Sequence, residues 1–330
     1  MEVSRIENLP PPPGIINSIR AGFDAIASHI TVILLPLLLN LLLWLGPRLR
    51  VEELFKSIQS DLVLFWKTAQ IPMDQIQTML DAYDEMSKTV NLFALIRTLP
   101  IGISSLFTPS EKMITTPLGT PAIWQASVLN FPLWLFVLVL IGWVGGALYF
   151  RYVAGAALAE KITMIRSSQA VIQTILISVL CNLILFAISM PIFLILFVAM
   201  QISAILANLI VLFLALGSVW VIVPIFFWAH GVFLDQQNVL TSILSSFQLT
   251  RFTLPTSSLF VLTVFLLSYG LSFLWRIPAQ DSWLTLVGIF GHSFVTTALL
   301  ASSFIYYYDM STWVRAVLEK IRPNNVIKQA

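Results

Sequence analysis

The sequence predicts an all-α, polytopic membrane protein built as a transmembrane helix bundle, and three observations support this fold class. Charged residues make up only 10% of the chain and hydrophobic residues 58%, whereas a soluble domain carries about 25% charged residues. Six stretches have no internal charge and approach or exceed the length of about 20 residues that crosses the hydrocarbon layer. Lysine and arginine are concentrated on one of the two sides that these stretches define.

The six stretches are expected to be helices, because a backbone in lipid must satisfy its own hydrogen bonds. The third and fourth form nearly one apolar block, and only the sequence MQISA at residues 200–204 marks a turn between them. The predicted spans are residues 30–45, 131–150, 171–197, 204–228, 257–275 and 283–308.

Charge sets the predicted orientation of the bundle. With six spans both termini share one side, and the short loops of the opposite side carry Arg276 as their only lysine or arginine. Because cytoplasmic loops are enriched in lysine and arginine, both termini are predicted to be cytoplasmic in a multi-pass protein of the cell membrane. The cytoplasmic side carries Arg5, Arg20, Arg151, Lys161, Arg166, Arg251, Arg315, Lys320, Arg322 and Lys328.

These inferences divide the chain into five parts. Amphipathic stripes are expected in the first and last parts, and one begins at Ile16 and includes Ile19 and Phe23. The parts are a cytoplasmic segment with an amphipathic helix at 1–28, the first span at 29–46, an extracytoplasmic helical domain at 47–127, five further spans with short loops at 128–308, and a cytoplasmic amphipathic tail at 309–330.

The extracytoplasmic domain holds nearly half of all charged residues. Apolar residues recur at helical spacing in 51–65 and 76–83, which predicts two amphipathic helices. Residues 91–107 are also apolar, but Arg97 and Pro100 near their centre favour a location in the membrane interface over another span. The domain is either a helical cap on the outer ends of the spans or a substrate lid or receptor-like domain. No residues in it have the spacing of a ligand site, which favours the cap.

Aromatic residues near the ends of the predicted spans indicate interfacial belts. Trp44, Trp275 and Trp283 lie at outer ends, and the tyrosines at 306–308 lie at the inner end of the sixth span. Tryptophan and tyrosine are enriched at the level of the lipid headgroups. The tyrosine run is therefore interpreted as part of a belt.

His292 is the one histidine deep inside a predicted span, and it allows two interpretations. It shares a helix face with Thr296, next to a row of small residues at Ser293, Thr297 and Ala301. An ionisable residue in a membrane is a candidate functional group, but a neutral histidine can also hold helices together by hydrogen bonds. No carboxylate lies at the same depth, so hydrogen bonding between helices is favoured.

Other polar residues in the spans are candidates for a polar path or for helix contacts. Thr174, Ser178 and Asn182 share one side of the third span, and Asn40 is an isolated polar residue in the first. Gly142 and Gly146 have GxxxG spacing, which favours a close helix crossing, within the chain or between two chains.

Motifs for catalysis and cofactors are not found in the sequence. There is no phosphate-binding loop, dinucleotide glycine pattern or HExxH motif, and the lone Cys181 gives no disulfide framework or cysteine metal cluster. The net charge of +2 does not favour a nucleic-acid partner. No catalytic, cofactor-binding or metal-binding residues are predicted.

Two segments resemble a known group of proteins. They are VIVPIFFWAHGVFLDQQNVLTSILSSFQLTR at 221–251 and YYYDMSTWVR at 306–315. With the long outer loop after the first span, they resemble uncharacterised six-span inner-membrane protein families of bacteria. The plan is similar to that of the membrane domain of some glycerophosphodiester phosphodiesterases, whose hydrolase domain this sequence does not contain. The resemblance implies a membrane location and no settled activity. Met310 and Ser311 depart from the Leu-Arg that relatives commonly have after the aspartate.

The sequence thus predicts a non-enzymatic integral membrane protein with a structural or accessory role. The alternative is a transporter or permease-like subunit for a small or lipid-like substrate. A water-filled cavity lined by Thr174, Asn182, His292 and Thr296 would favour transport, and a dry core the accessory role. The expected partners are membrane lipids, with a membrane-protein partner or a second copy of the chain as further alternatives.

Overall fold

A computed structural model describes residues 11–108, 115–158 and 166–321, and it is all-α, with 80% helix. Short 3-10 helices lie at Ile30–Ile33 and at Leu92–Ile96. The α-helices are α1 Ile15–Ser28, α2 Leu34–Leu45, α3 Glu52–Thr68, α4 Met73–Thr89, α5 Phe131–Leu158, α6 Ser167–Ile202, α7 Ala204–Asp235, α8 Val239–Trp275 and α9 Thr285–Ile321.

Five of the described helices, α5 to α9, are long and apolar enough to cross a membrane, as judged by length and composition. A sixth span is counted if α1 and the segment Ile30–Leu45, which are separated by a bend, are taken as one. The 3-10 helix and α2 together are about 26 Å long, close to the thickness of the hydrocarbon layer. The apolar helices indicate an integral membrane protein.

The ends of the helices agree with the predicted spans in some places and extend past them in others. The break between α6 and α7 is at Ser203, inside the predicted turn, and the Ser203 hydroxyl accepts a hydrogen bond from the backbone N–H of Ile205 at 3.2 Å. Helix α8 is kinked at Thr253, before Pro255, and it begins at Val239, well before the predicted start of the fifth span at residue 257. Helix α9 continues without a break to Ile321, so residue 309 is not a helix boundary.

The chain folds into two compact units. Unit 1 comprises residues 1–29, 151–267 and 297–330, and unit 2 comprises residues 30–150 and 268–296. Residues 1–10, 109–114, 159–165 and 322–330 lie outside the described residues. Parts of the predicted amphipathic segments at both ends, and the sequence around Lys161, are among them.

In unit 1, α1 packs on α9 through its smallest side chains. A Cβ atom on Gly22 would lie 2.7 Å from the backbone oxygen of Ala298, and the Ser302 hydroxyl donates a hydrogen bond to the Ile19 carbonyl at 3.2 Å. The predicted apolar stripe therefore does not face the protein as a whole, because Ile16 at its start is 81% exposed. Because Gly22 has no side chain, α1 can approach α9 closely on this face, and this is the face that is buried.

The helices α6 and α7 form a hairpin, and side chains between residues 182 and 222 are mostly exposed. Their exposure follows from composition, since these residues are almost all apolar and carry no charge. In a membrane protein such a surface has lipid rather than water as its solvent.

Unit 2 contains a small parallel pair of strands, β1 Arg48–Arg50 and β2 Ile123–Gln125. The residues that follow α4 join this pair, because Asn91 Oδ1 accepts hydrogen bonds from the backbone N–H groups of Leu49 at 3.1 Å and Phe93 at 3.3 Å. An Arg50 guanidinium N–H also donates to the Val90 carbonyl at 3.2 Å. The residues before α3 and after α4 are therefore attached to each other in one closed base, which is formed by β1, β2 and Asn91.

Residues 97–107 are neither a span nor an amphipathic helix. This stretch has no regular helix, and Ile101, Ile103, Leu106 and Phe107 in it are at most 5% exposed. The prediction of an interfacial segment is therefore wrong for these residues, which belong to the core of unit 2. Side chains from elsewhere in unit 2 satisfy the hydrogen bonds of this irregular backbone, as a buried loop requires.

Candidate functional site

His292 takes part in hydrogen bonds that join α9 to α8 within unit 2. The Ser272 hydroxyl donates its single proton to the Ser268 carbonyl at 2.6 Å. The His292 Nδ1–H group therefore donates to Ser272 Oγ, at 3.2 Å. That assignment leaves Nε2 of a neutral imidazole as an acceptor. Nε2 is buried and has no hydrogen-bond partner in the described part of the chain.

Asn40 is the centre of a second hydrogen-bond network in unit 2 and uses both ends of its amide. Its Nδ2 group donates to the Pro36 carbonyl at 2.8 Å and to Ser293 Oγ at 3.4 Å. Its Oδ1 atom accepts from the Ser105 hydroxyl at 2.9 Å and from the backbone N–H of Leu106 at 2.7 Å. The side chain is fully buried. Asn40 thus joins α2, α9 and the irregular segment 97–107.

Two arginines hold the end of the irregular segment. Arg276 Nε donates to the Leu106 carbonyl at 2.7 Å, and an Arg97 guanidinium N–H donates to the Phe107 carbonyl at 2.7 Å. Both arginines thus lie at the same end of the irregular segment, in the unit that also holds His292. We name the set of Arg97, Arg276 and His292 the arginine-histidine cluster.

The small residues of the row on α9 are buried. Ser293, Thr297 and Ala301 are fully buried. Ser293 belongs to unit 2, and the other two belong to unit 1. The Thr296 hydroxyl donates to the His292 carbonyl at 2.8 Å, so this hydrogen bond lies within α9 and does not join α9 to another helix.

The three polar residues of the third predicted span do not share one environment. Thr174 and Ser178 are fully buried, and their hydroxyl oxygens have no partner in the described residues. Asn182 is exposed, and its amide donates to the Ser178 carbonyl at 2.7 Å. These three belong to unit 1, whereas His292 and Thr296 belong to unit 2.

Gly142 and Gly146 let α5 approach an irregular backbone rather than another helix. A Cβ atom on Gly142 would lie 2.6 Å from the Ile96 carbonyl oxygen, and one on Gly146 would lie 2.9 Å from Gly102 Cα. The GxxxG spacing predicted a helix crossing, and the described partner is instead the segment at 96–102. Small residues serve the same purpose in both cases, which is to let two backbones approach closely.

His230 is a buried polar residue that is not among the candidates predicted from the sequence. It is 2% exposed and lies in unit 1 among aromatic rings, with the Phe304 ring centroid at 4.7 Å. The Ser303 hydroxyl donates to the Leu300 carbonyl at 2.7 Å, so His230 Nε2–H donates to Ser303 Oγ at 2.8 Å. The preceding run of apolar and aromatic residues, PIFFWAH, could have indicated a core position.

The tyrosine run also differs from its prediction. Tyr306 and Tyr307 are at most 2% exposed, and the Tyr306 ring stacks on Phe260 with centroids 4.0 Å apart. Trp44 is fully buried too, and its indole N–H donates to the Gln280 carbonyl at 2.8 Å. The interpretation of these three residues as belt residues is therefore wrong. They pack inside the protein, and the Tyr306 hydroxyl lies 3.3 Å from the Ser257 hydroxyl, within hydrogen-bond distance.

Clefts lie in both units of the described residues. One, of about 270 Å³, lies between α3 and α4. The other, of about 110 Å³, lies in unit 1 beside Tyr307 and Arg315, and Arg315 is 3.1 Å from the Asp235 carboxylate. Among residues 11–108, 115–158 and 166–321, no group of three or more His, Cys, Asp or Glu side chains is arranged to hold a metal ion.

Comparison with known proteins adds no relative. No protein-family model, curated protein or solved structure matches the chain. The similarity to six-span inner-membrane families therefore stays a prediction from the two sequence segments.

Proposed function

We propose that the chain is a six-span protein of the cell membrane with both termini in the cytoplasm. In this proposal it is non-enzymatic and accessory, and it presents the α3–α4 hairpin, residues 52–89, outside the membrane. The observation that carries the proposal is the closed base of the hairpin at β1, β2 and Asn91. Such a base fixes the direction of the hairpin although few of the hairpin's own side chains are buried.

The construction of the hairpin supports a role in contact with a partner. Its two helices touch through a small aromatic cluster, in which Tyr83 lies 5.8 Å from Trp66 and 5.5 Å from Phe55 between ring centroids. Two short helices with so small a contact gain little stability from each other. Near its tip, Leu64 and Phe65 are 66% and 67% exposed. Exposed apolar residues that lie together are typical of interaction sites.

The base itself is built to be rigid. Burial of the Arg50 side chain, and in second place the charge of Arg48, lower the pKa of Arg50 below its usual value. Keeping a cation there costs free energy that its hydrogen bond to the Val90 carbonyl helps to offset. The Arg50 carbonyl in turn accepts from the Ala126 N–H at 2.8 Å. Both ends of the hairpin are therefore attached to the strand pair.

The proposal is tested by photo-crosslinking in cells from position 65. A photoreactive residue in place of Phe65 is expected to give a discrete crosslinked membrane protein, and Leu64→Ser in the same chain should abolish the product. The matched control is Gln75→Ser, an exposed polar position on the other helix, which should leave the product intact. Equal crosslinking in the photoreactive chain and in its Leu64→Ser and Gln75→Ser variants, or no crosslinking in any of them, would contradict the accessory role.

Transport is the second candidate, and one feature of α6 favours it. Gln173 Oε1, Thr174 Oγ1 and Ser178 Oγ are buried within two turns of α6 and have no partner in the described residues. Unsatisfied polar atoms in an apolar helix are costly unless water or a substrate reaches them.

Thiol accessibility separates the two candidates. In a Cys181→Ala background, Thr174→Cys should react with a water-soluble thiol reagent if a polar path reaches it, and the equally buried Ile177→Cys should not. If neither cysteine reacts, α6 has no such path and the accessory role stands alone.

A further inference from the structure

We propose that Arg276, together with Arg97, binds a phosphate group at the end of unit 2 where α8 ends. The phosphate belongs either to a lipid headgroup or to a soluble phosphate. This inference does not depend on the hairpin, because none of its residues lies in α3 or α4.

The two guanidinium groups converge on neighbouring carbonyls. Arg276 and Arg97 donate to the carbonyls of Leu106 and Phe107, two consecutive residues. A guanidinium has five N–H donors, and the bond to Leu106 uses only the Nε–H of Arg276. The terminal N–H groups of Arg276 are left for another acceptor, and the residue as a whole is exposed.

The cluster places like charges close together. The guanidinium groups of Arg276 and Arg97 donate to consecutive carbonyls, and the ion pairs of the described residues do not include Arg276. The Arg276 cation lies at the edge of an apolar medium, where a bound anion stabilises a positive charge. The geometry thus favours a ligand with negative charge.

Two buried donors lie next to the residues that bear the site. The Ser104 hydroxyl is two residues from Leu106, and the Trp275 indole N–H belongs to the residue before Arg276. Both atoms are buried and have no partner in the described chain. The Trp275 ring is held against α9, where a Cβ atom on Gly291 would lie 2.7 Å from it. Unpaired donors beside a cation pair are the groups that a phosphate oxygen or its bound water would satisfy.

The position of the cluster along the helices agrees with the level of lipid phosphates. Arg276 directly follows the long apolar helix α8, and α9 begins nine residues later at Thr285. Trp283, in the connection between them, contacts Trp44 with ring centroids 6.0 Å apart. Arginine binds phosphate with two parallel hydrogen bonds, which lysine cannot reproduce.

The experiment uses the full-length protein purified in detergent and supplied with lipid of known composition. One arm measures the phosphatidylglycerol retained per chain by native mass spectrometry, with diacylglycerol of the same acyl chains as the phosphate-free comparison. The other arm measures binding of inorganic phosphate by equilibrium dialysis. The variants are Arg276→Gln, the conservative Arg276→Lys and the control Arg251→Gln, which removes an exposed arginine of unit 1.

We expect Arg276→Gln to lower phosphatidylglycerol retention by about tenfold, Arg276→Lys to give an intermediate value, and Arg251→Gln to behave as the unchanged protein. Loss of phosphate binding alone in Arg276→Gln would assign the site to soluble phosphate. If Arg276→Gln does not fold, the unchanged protein should still retain phosphatidylglycerol about tenfold better than diacylglycerol. Equal retention of the two lipids together with no phosphate binding, or an Arg276→Gln protein that binds like the unchanged one, would overturn the proposal.

Discussion

Asn40 Oδ1 accepts a hydrogen bond from the backbone N–H of Leu106 at 2.7 Å, across 66 residues of sequence. This contact fixes the irregular segment 97–107 inside unit 2. It shows that a polar residue in an apolar helix serves here to satisfy a buried backbone.

Replacing Asn40 with Leu should therefore destabilise the protein by about 2–5 kcal/mol. The change leaves the Leu106 N–H and the Ser105 hydroxyl buried without their acceptor, and each such loss costs about 1–3 kcal/mol. Asn182→Leu is the matched control, because Asn182 makes the same bond to the carbonyl four residues earlier but is exposed. Unfolding in detergent with increasing denaturant gives both values. Similar losses for the two variants would show that Asn40 has no special part in the fold.

The close approach of α5 to the segment at 96–102 gives a second prediction. Gly142→Ala should destabilise by about 1–3 kcal/mol, since its methyl group would meet the Ile96 carbonyl and the backbone has to move. Gly217→Ala, in α7, has open space around the new atom and should be neutral or stabilising by up to about 1 kcal/mol. Thermal unfolding of the two variants in the same detergent compares them directly. A stable Gly142→Ala protein would contradict the described packing.

The aromatic surroundings of His230 give a third prediction, which concerns stability. His230→Ala should cost about 3–5 kcal/mol, because it leaves a cavity between rings and removes the donor to Ser303. His29→Ala should change stability by less than about 0.5 kcal/mol, since His29 is exposed and bonds only to its own helix. Calorimetry or denaturant unfolding distinguishes the two. Equal effects of both replacements would rule out a core role for His230.

The base of the hairpin gives a fourth prediction, which concerns Asn91. Asn91→Ala removes the acceptor for the Leu49 and Phe93 N–H groups and should cost about 1–3 kcal/mol locally. Hydrogen exchange at residues 48–50 and 90–93 should then become faster, while exchange in α7 stays unchanged. Gln75→Ala serves as the control on the exposed face of α4. Unchanged exchange at the base would mean that Asn91 does not hold the hairpin.

Much of the fold follows from the sequence, because long runs without charge can only be buried in lipid as helices. The break at residues 200–204 was found where a single polar stretch interrupted such a run, and Ser203 caps the helix there. The wrong expectations concern residues whose setting depends on distant contacts. Tyr306 and Trp44 have the composition of belt residues, and only the packing of other helices shows that they are buried.

The candidate site was predicted only in part, for a similar reason. Periodicity indicated that His292 lies on the polar side of its helix, yet its partner Ser272 lies on another helix. The charge of Arg97 indicated that residues 91–107 are not a span. The sequence gives no sign, however, that its guanidinium binds the Phe107 carbonyl ten residues later. The strand pair β1 and β2 is only three residues long on each side, and the first residues of the two strands, Arg48 and Ile123, are 75 positions apart in the sequence. No local pattern encodes such a pairing.

The central claim is that the chain crosses the membrane six times, with the segment 47–127 outside and both ends in the cytoplasm. Reporter fusions test it most directly, with alkaline phosphatase and green fluorescent protein each placed after Pro121, after Gln201 and after Ala330. The account predicts phosphatase activity after Pro121 and Gln201, and fluorescence after Ala330. Phosphatase activity after Ala330, or fluorescence after Pro121, would contradict the threading and with it the proposed presentation of the hairpin.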